Sequence, residues 1–150
     1  MRRAASALAA VFLAVAPLTA ASAASIGRAQ IEDILKQEGY SVEEYKSNML
    51  VVSVGDQQVL VAVTGADGDV SYITYLQGLS KRDVALSFLT KFNSEVKFGR
   101  AYVDRDGDVT LQMDRNSSGG VTLSNIKSDF EVFLLLISKF LSDLESQPSA

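Results

Sequence analysis

Cysteine and histidine are both absent from this chain of 150 residues. Without them, zinc and other transition-metal sites built on thiolate or imidazole are excluded. Thiol catalysis and every Ser-His or Cys-His pair are excluded too. Disulfides are unavailable, so an apolar core alone must hold the fold. Clusters of basic residues are also missing: 14 Lys and Arg stand against 18 Asp and Glu, a formal net charge of −4. An acidic chain without a basic patch repels phosphate backbones, which argues against a nucleic-acid partner. Beyond the first two dozen residues, no segment is long and apolar enough to span a bilayer.

What is present begins with an address label. Met1-Arg2-Arg3 is a short basic leader, Ala4 to Leu18 is apolar apart from Ser6, and Ala21-Ser22-Ala23 supplies small residues for a signal peptidase. A cleaved signal peptide over residues 1–23 is expected, and with it a periplasmic or secreted location. Its removal takes two arginines and no acid, moving the net charge from −4 to −6. Residues 24–146 then form one domain and 147–150 a frayed tail.

The domain opens with a helix over Ser25 to Glu38, capped by Ser25, striped by Ile31, Ile34 and Leu35, and stopped by Gly39. Strands follow at Tyr40–Tyr45, Met49–Val54, Gln58–Thr64 and Val70–Leu76, with turns at Gly55-Asp56 and Asp67-Gly68. Spacings this short permit only antiparallel neighbours, so the middle of the chain is a meander. For the hairpin at Asp67-Gly68, neither a two- nor a three-residue loop sorts the side chains cleanly. Ser80 to Phe92 returns to helical spacing, with Ser80 as cap and Val84, Phe88, Leu89 and Phe92 on one face. A last helix starts near Thr122 or Ser124; Ile126, Phe130, Phe133, Ile137, Phe140, Leu141 and Leu144 form its stripe, widened by Leu134, Leu135 and Leu136. That width fits a helix central to the core or one contacting a partner.

The segment Phe98-Gly-Arg-Ala-Tyr-Val-Asp-Arg-Asp-Gly-Asp-Val-Thr-Leu-Gln-Met-Asp114 is a hairpin. Asp104-Arg105-Asp106-Gly107 suits a type I turn closed by a left-handed glycine, a three-residue loop pairing Asp104 with Asp108. In that register Ala101, Val103, Val109, Leu111 and Met113 share one apolar face, and Arg100, Tyr102, Thr110, Gln112 and Asp114 the other. A slip of one residue mixes the two.

Candidate chemistry is sparse. Asp104, Asp106, Asp108 and Asp114 invite a calcium reading, but glycine falls fourth rather than sixth and Arg115 stands where a closing glutamate belongs. A hydrated turn explains them better; weak divalent binding there is a matter for measurement. No carboxylate pair stands out for hydrolysis. Ser80-Lys81 points in divergent directions, and Ser117-Ser-Gly-Gly120 lacks the lysine and context of a phosphate loop. No catalytic residue, cofactor or metal is expected, and the chain reads as no enzyme. The candidate interaction surface is Leu135 and Phe140 on the last helix with Tyr72 and Tyr102 on strands. If several of Tyr40, Tyr45, Tyr72, Tyr75 and Tyr102 share an exposed sheet face, they form a surface for an extended segment.

The hairpin, with Phe92-Asn93 before it and Gly119-Gly120-Val121 after it, resembles the YbjN-domain family of bacterial sensory-transduction regulators. Phe98, Gly99, Arg100, Asp104, Asp106, Gly107 and Asp108 carry the resemblance. It implies an α+β fold in the order α-β-β-β(β)-α-β-β-α, similar to type III secretion chaperones, which are commonly dimers that bind extended partner segments. The family brings no catalytic residues to carry over. Many relatives are cytoplasmic, whereas this chain begins with an export signal, which argues against a direct role in transcription or cytoplasmic signalling; the paired cysteines of some relatives are absent here. The expected function is an exported, non-enzymatic protein-binding or chaperone-like regulatory module, with a protein partner or a second copy of the chain. The alternatives are a periplasmic carrier holding an apolar small molecule or lipid between helices and sheet, and a carboxylate hydrolase.

Overall fold

A computed structural model describes residues 25–147; the expected signal peptide and the last three residues of the tail lie outside them. Nine elements follow in order: α1 (Arg28–Gln37), β1 (Ser41–Lys46), β2 (Met49–Val54), β3 (Gln57–Thr64), β4 (Asp69–Ser80), α2 (Leu86–Glu95), β5 (Gly99–Val103), β6 (Asp108–Arg115) and α3 (Leu123–Glu145). The expected α+β architecture is the one observed. All six strands form one antiparallel sheet in the order β1-β2-β3-β4-β6-β5.

Local chemistry sets most boundaries. In α1, Ile31 and Leu35 lie one turn apart and are both fully buried. Gly39, at φ +91°, ends it in a Schellman arrangement: Gly39 N–H donates to Lys36 O and Tyr40 N–H to Leu35 O. The helix starts three residues later than the sequence suggests. Gly27 is its N-cap, with Gln30 Oε1 accepting from Gly27 N at 3.0 Å, because buried Ile26 holds Ser25 outside the helix.

Ser80 is also corrected. It closes β4, opposite Asp108, rather than capping α2. Its N–H and hydroxyl both donate to the Asp83 carboxylate, at 2.8 and 2.7 Å, making a single capped turn. Ala85 then adopts extended backbone, and α2 begins at Leu86 with no side-chain cap. The apolar face read from the sequence nevertheless holds: Val84, Phe88, Leu89 and Phe92 are buried. Between β3 and β4, Thr64 pairs with Asp69, so four residues turn. Gly68 is needed there, at φ +73°, since a Cβ would meet Ile26 O at 2.7 Å.

The core lies between one sheet face and the helices. Val52, Val59, Val61, Leu50 and Leu111 face Ile126, Phe130, Phe133 and Phe140 of α3 across it, all with 1 % exposure or less. Phe140 packs edge-on against Phe88 and Phe92, with centroids 5.2 and 5.1 Å apart, which ties α3 to α2.

Candidate functional site

Among the described residues no helix covers the opposite face of the sheet, and its side chains fall in rows set by the register. One row runs Glu43, Val51, Leu60, Ile73, Gln112, Arg100 from β1 to β5. Beside it lie Met49, Ala62, Ser71 and Asp114 on one side and Tyr75, Thr110 and Tyr102 on the other. Val51, Leu60 and Ile73, in the middle of the sheet, are therefore apolar where a two-layer fold ordinarily shows polar side chains to water. Tyr45, Met49, Val51, Leu60 and Tyr75 line a groove of about 450 Å³ on this face, with Lys46 at its margin, 5.2 Å from the Tyr45 ring centroid. Tyr45 and Tyr75 are 59 % and 46 % exposed, the largest aromatic surfaces the sheet offers. Thr110, between Tyr75 and Tyr102 in register, is fully buried.

Towards β5 the face becomes polar. Tyr102 donates its hydroxyl to Gln112 Oε1 at 2.9 Å, and Gln112 Nε2 donates to Asp114 Oδ1 at 2.8 Å. Ser71 Oγ and Arg100 Nη1 also donate to Asp114, at 2.7 and 3.0 Å. Partial burial works against the Asp114 carboxylate, yet Ser71, Gln112 and Arg100 together hold its pKa below the usual range. Burial pushes the Tyr102 phenol up, so it serves as a neutral donor.

The four residues expected to form an interaction surface separate into two pairs. Leu135 is 68 % exposed on the outer side of α3, and Tyr102 lies half-buried on the open sheet face; the structure does not bring them together. Phe140 and Tyr72 are corrected: both are fully buried. Phe140 is a packing residue of the α2–α3 contact. Tyr72 faces the core beside Phe130 and Phe133, its hydroxyl donating to Ile126 O at 3.1 Å rather than to water. Burial first, then the Asp129 carboxylate, drives its pKa far upward. Tyr40 packs its edge on Phe130.

In the hairpin the expected register is observed, with Ala101 opposite Leu111, Val103 opposite Val109, and Asp104 N–H donating to Asp108 O. Asp104 Oδ1 accepts from the backbone N–H groups of Asp106, Gly107 and Asp108 at 2.9 to 3.0 Å, so this aspartate staples its own turn. Among the described residues no group of three or more acids is placed to hold a metal ion, and no helix is long and apolar enough to cross a membrane. Asn93 gains a physical role: its amide donates to Ala101 O and accepts from Ala101 N, at 2.9 and 2.8 Å. It thereby occupies the outward N–H and C=O of Ala101, in the middle of edge strand β5.

No curated protein matches the chain. Among solved structures, YbjN from E. coli, titled a putative transcription regulator, is similar with a TM-score of 0.63 at 16 % identity, over 81 % of this chain and 93 % of that one. At that identity the likeness concerns the fold. The family model named YbjN, described as a putative bacterial sensory transduction regulator, matches residues 27–146, from the N-cap of α1 through the end of α3, and the chain belongs to that family.

Proposed function

We propose that this protein is an exported, non-enzymatic binding module of the YbjN family whose contact surface is the open sheet face. One observation carries the reading: the middle of that face presents Val51, Leu60 and Ile73 beside Met49 and two exposed tyrosines. Contiguous apolar surface rimmed by polar groups marks contact sites, and tyrosines add large area at small entropic cost. The Tyr102–Gln112–Asp114–Arg100 network supplies a fixed polar margin. A polypeptide partner fits a shallow groove flanked by polar groups. The carrier alternative draws no support from the layer between helices and sheet, which Tyr72, Phe130, Phe133 and Phe140 fill.

A photo-crosslinking amino acid at Tyr75, expressed in the native host, tests the surface. Adducts are expected there and not at exposed Gln37 on α1. Equal labelling at both positions, or none at Tyr75, removes the open face as the contact surface. Localisation is checked separately, by whether the mature N-terminus is Ala24 in the exported fraction.

A further inference from the structure

A cleft of about 440 Å³ opens where α3 crosses the end of the β5–β6 ribbon, lined by Phe98, Met113, Arg115, Asn116, Ser128 and Val132. Phe98 is anomalous twice over. Among the described residues it is the one non-glycine with positive φ, at +72°, and its side chain is 77 % exposed. A left-handed phenylalanine is strained, and an exposed ring forgoes burial. The backbone after it is pinned: a Cβ on Gly99 would lie 2.6 Å from Leu136 Cδ1 and 3.3 Å from Gln112 O. A glycine at position 98 would satisfy that geometry without strain. The fold itself therefore gives no reason for an aromatic ring here.

The polar groups of the cleft are unevenly used. Arg115 donates through Nε and Nη2 to the two oxygens of Asp129, while no acceptor among the described residues reaches Nη1. Asn116 accepts through Oδ1 from Ser118 N, and its amide hydrogens meet no acceptor among them. Asp129 is occupied by Arg115, and Asp114 by Ser71, Gln112 and Arg100. The cleft thus has spare donors beside an apolar wall of Phe98, Met113 and Val132. Arg100 pairs with Asp114 and Arg115 with Asp129, so the cleft has no net positive charge to hold a carboxylate, and a neutral carbonyl suits its spare donors.

We propose that this cleft binds a short apolar peptide segment. A backbone carbonyl of the segment accepts from Arg115 Nη1 or Asn116 Nδ2, and an adjacent apolar side chain packs on Phe98, Met113 and Val132. The volume lies within the range of pockets for small ligands. The site shares with the proposed function the idea of a polypeptide partner. It is separate from the Tyr45–Tyr75 groove, so either surface can fail alone.

The test is an NMR titration of the isotope-labelled protein with N-acetyl-Leu-Phe-amide, and in parallel with the same dipeptide as its free acid. Saturable shifts are expected at Phe98, Gly99, Val132 and Arg115 Nε, with a Kd of roughly 1 mM for the amide and weaker binding for the acid. Phe98→Gly is expected to weaken binding by about tenfold or more without lowering the unfolding midpoint; Val132→Ala gives an independent loss of binding. The proposal is overturned if no saturable shift appears by about 10 mM, or if the shifts centre on Leu60 and Tyr75. Tighter binding of the acid, or undiminished binding by Phe98→Gly, overturns it equally.

Discussion

Asn93 offers the sharpest test of how this sheet is terminated. Its side-chain amide makes two hydrogen bonds to Ala101, in a partly buried setting, and so imitates a neighbouring strand along β5. Each such bond contributes about 1 kcal/mol net. Asn93→Ala loses both, roughly 2 kcal/mol, and recovers about 0.5 kcal/mol from the better helix propensity of alanine near the end of α2. The expected destabilisation is about 1.5 kcal/mol, which for a domain of this size lowers the thermal midpoint by about 5–8 °C. Asn93→Asp keeps the acceptor for Ala101 N but sets a carboxylate against Ala101 O, so it is expected to be at least as damaging at neutral pH. Urea unfolding followed by circular dichroism measures both. The freed N–H and C=O of Ala101 also leave β5 open to pairing, so concentration-dependent mass in light scattering is expected for Asn93→Ala above that of the parent protein. A loss under about 0.5 kcal/mol together with unchanged mass would refute the idea that this amide closes the edge.

Three further outcomes follow from the same geometry. Phe140→Asp places a carboxylate between Phe88 and Phe92 in a fully buried site and is expected to abolish folding, whereas Leu135→Asp, at an exposed position, should shift stability by less than about 0.5 kcal/mol, both read by chemical denaturation. Asp114 has a depressed pKa in the fold, so its stabilising contribution is complete above the ordinary aspartate pKa and is lost as pH falls through the lower folded value; Asp114→Asn should therefore lower stability at neutral pH, converge on the parent in acid, and flatten the acid limb below about pH 4. Phe98→Gly relieves left-handed strain and loses little packing, so it is expected to stabilise by about 1 kcal/mol, a gain that calorimetry resolves.

Features fixed by neighbouring residues were readable in the chain, and features fixed by distant ones were not. The β5–β6 register follows from Asp104 and Gly107, whose turn geometry is local, and only one register keeps Ala101, Val109, Leu111 and Met113 together. The placement of β6 between β4 and β5 depends on pairs such as Tyr75 with Thr110, which no local spacing announces. Ser80 misleads because Ser-x-x-Asp closes a lone turn as readily as it starts a helix. Tyr72 carried a usable signal: it alternates in phase with Val70, Thr74 and Leu76, all inward. Phe140 likewise falls on the stripe of Ile126, Phe130 and Phe133, which reaches the core rather than water. The open-face groove is the real gap, since Met49, Val51, Leu60 and Tyr75 come from three strands and converge only through register.

The strength of binding at that groove can be bounded from its size. Even an apolar patch of ~300 Å², larger than this groove exposes, would contribute only about 8 kcal/mol at the usual coefficient. Loss of overall freedom on association costs about 4–15 kcal/mol, and ordering the Tyr45, Lys46 and Gln58 side chains adds roughly 0.5–1.5 kcal/mol each. The groove alone therefore supports weak, exchanging contacts, and Kd values in the micromolar range or above are expected from calorimetry with any partner seated only there. Anchoring by the two exposed tyrosines would dominate, so Tyr75→Ala is expected to weaken such binding by about tenfold or more, while Thr64→Ala, at the far end of β3, changes it little. A nanomolar complex insensitive to Tyr75→Ala would mean that the partner sits elsewhere on the molecule.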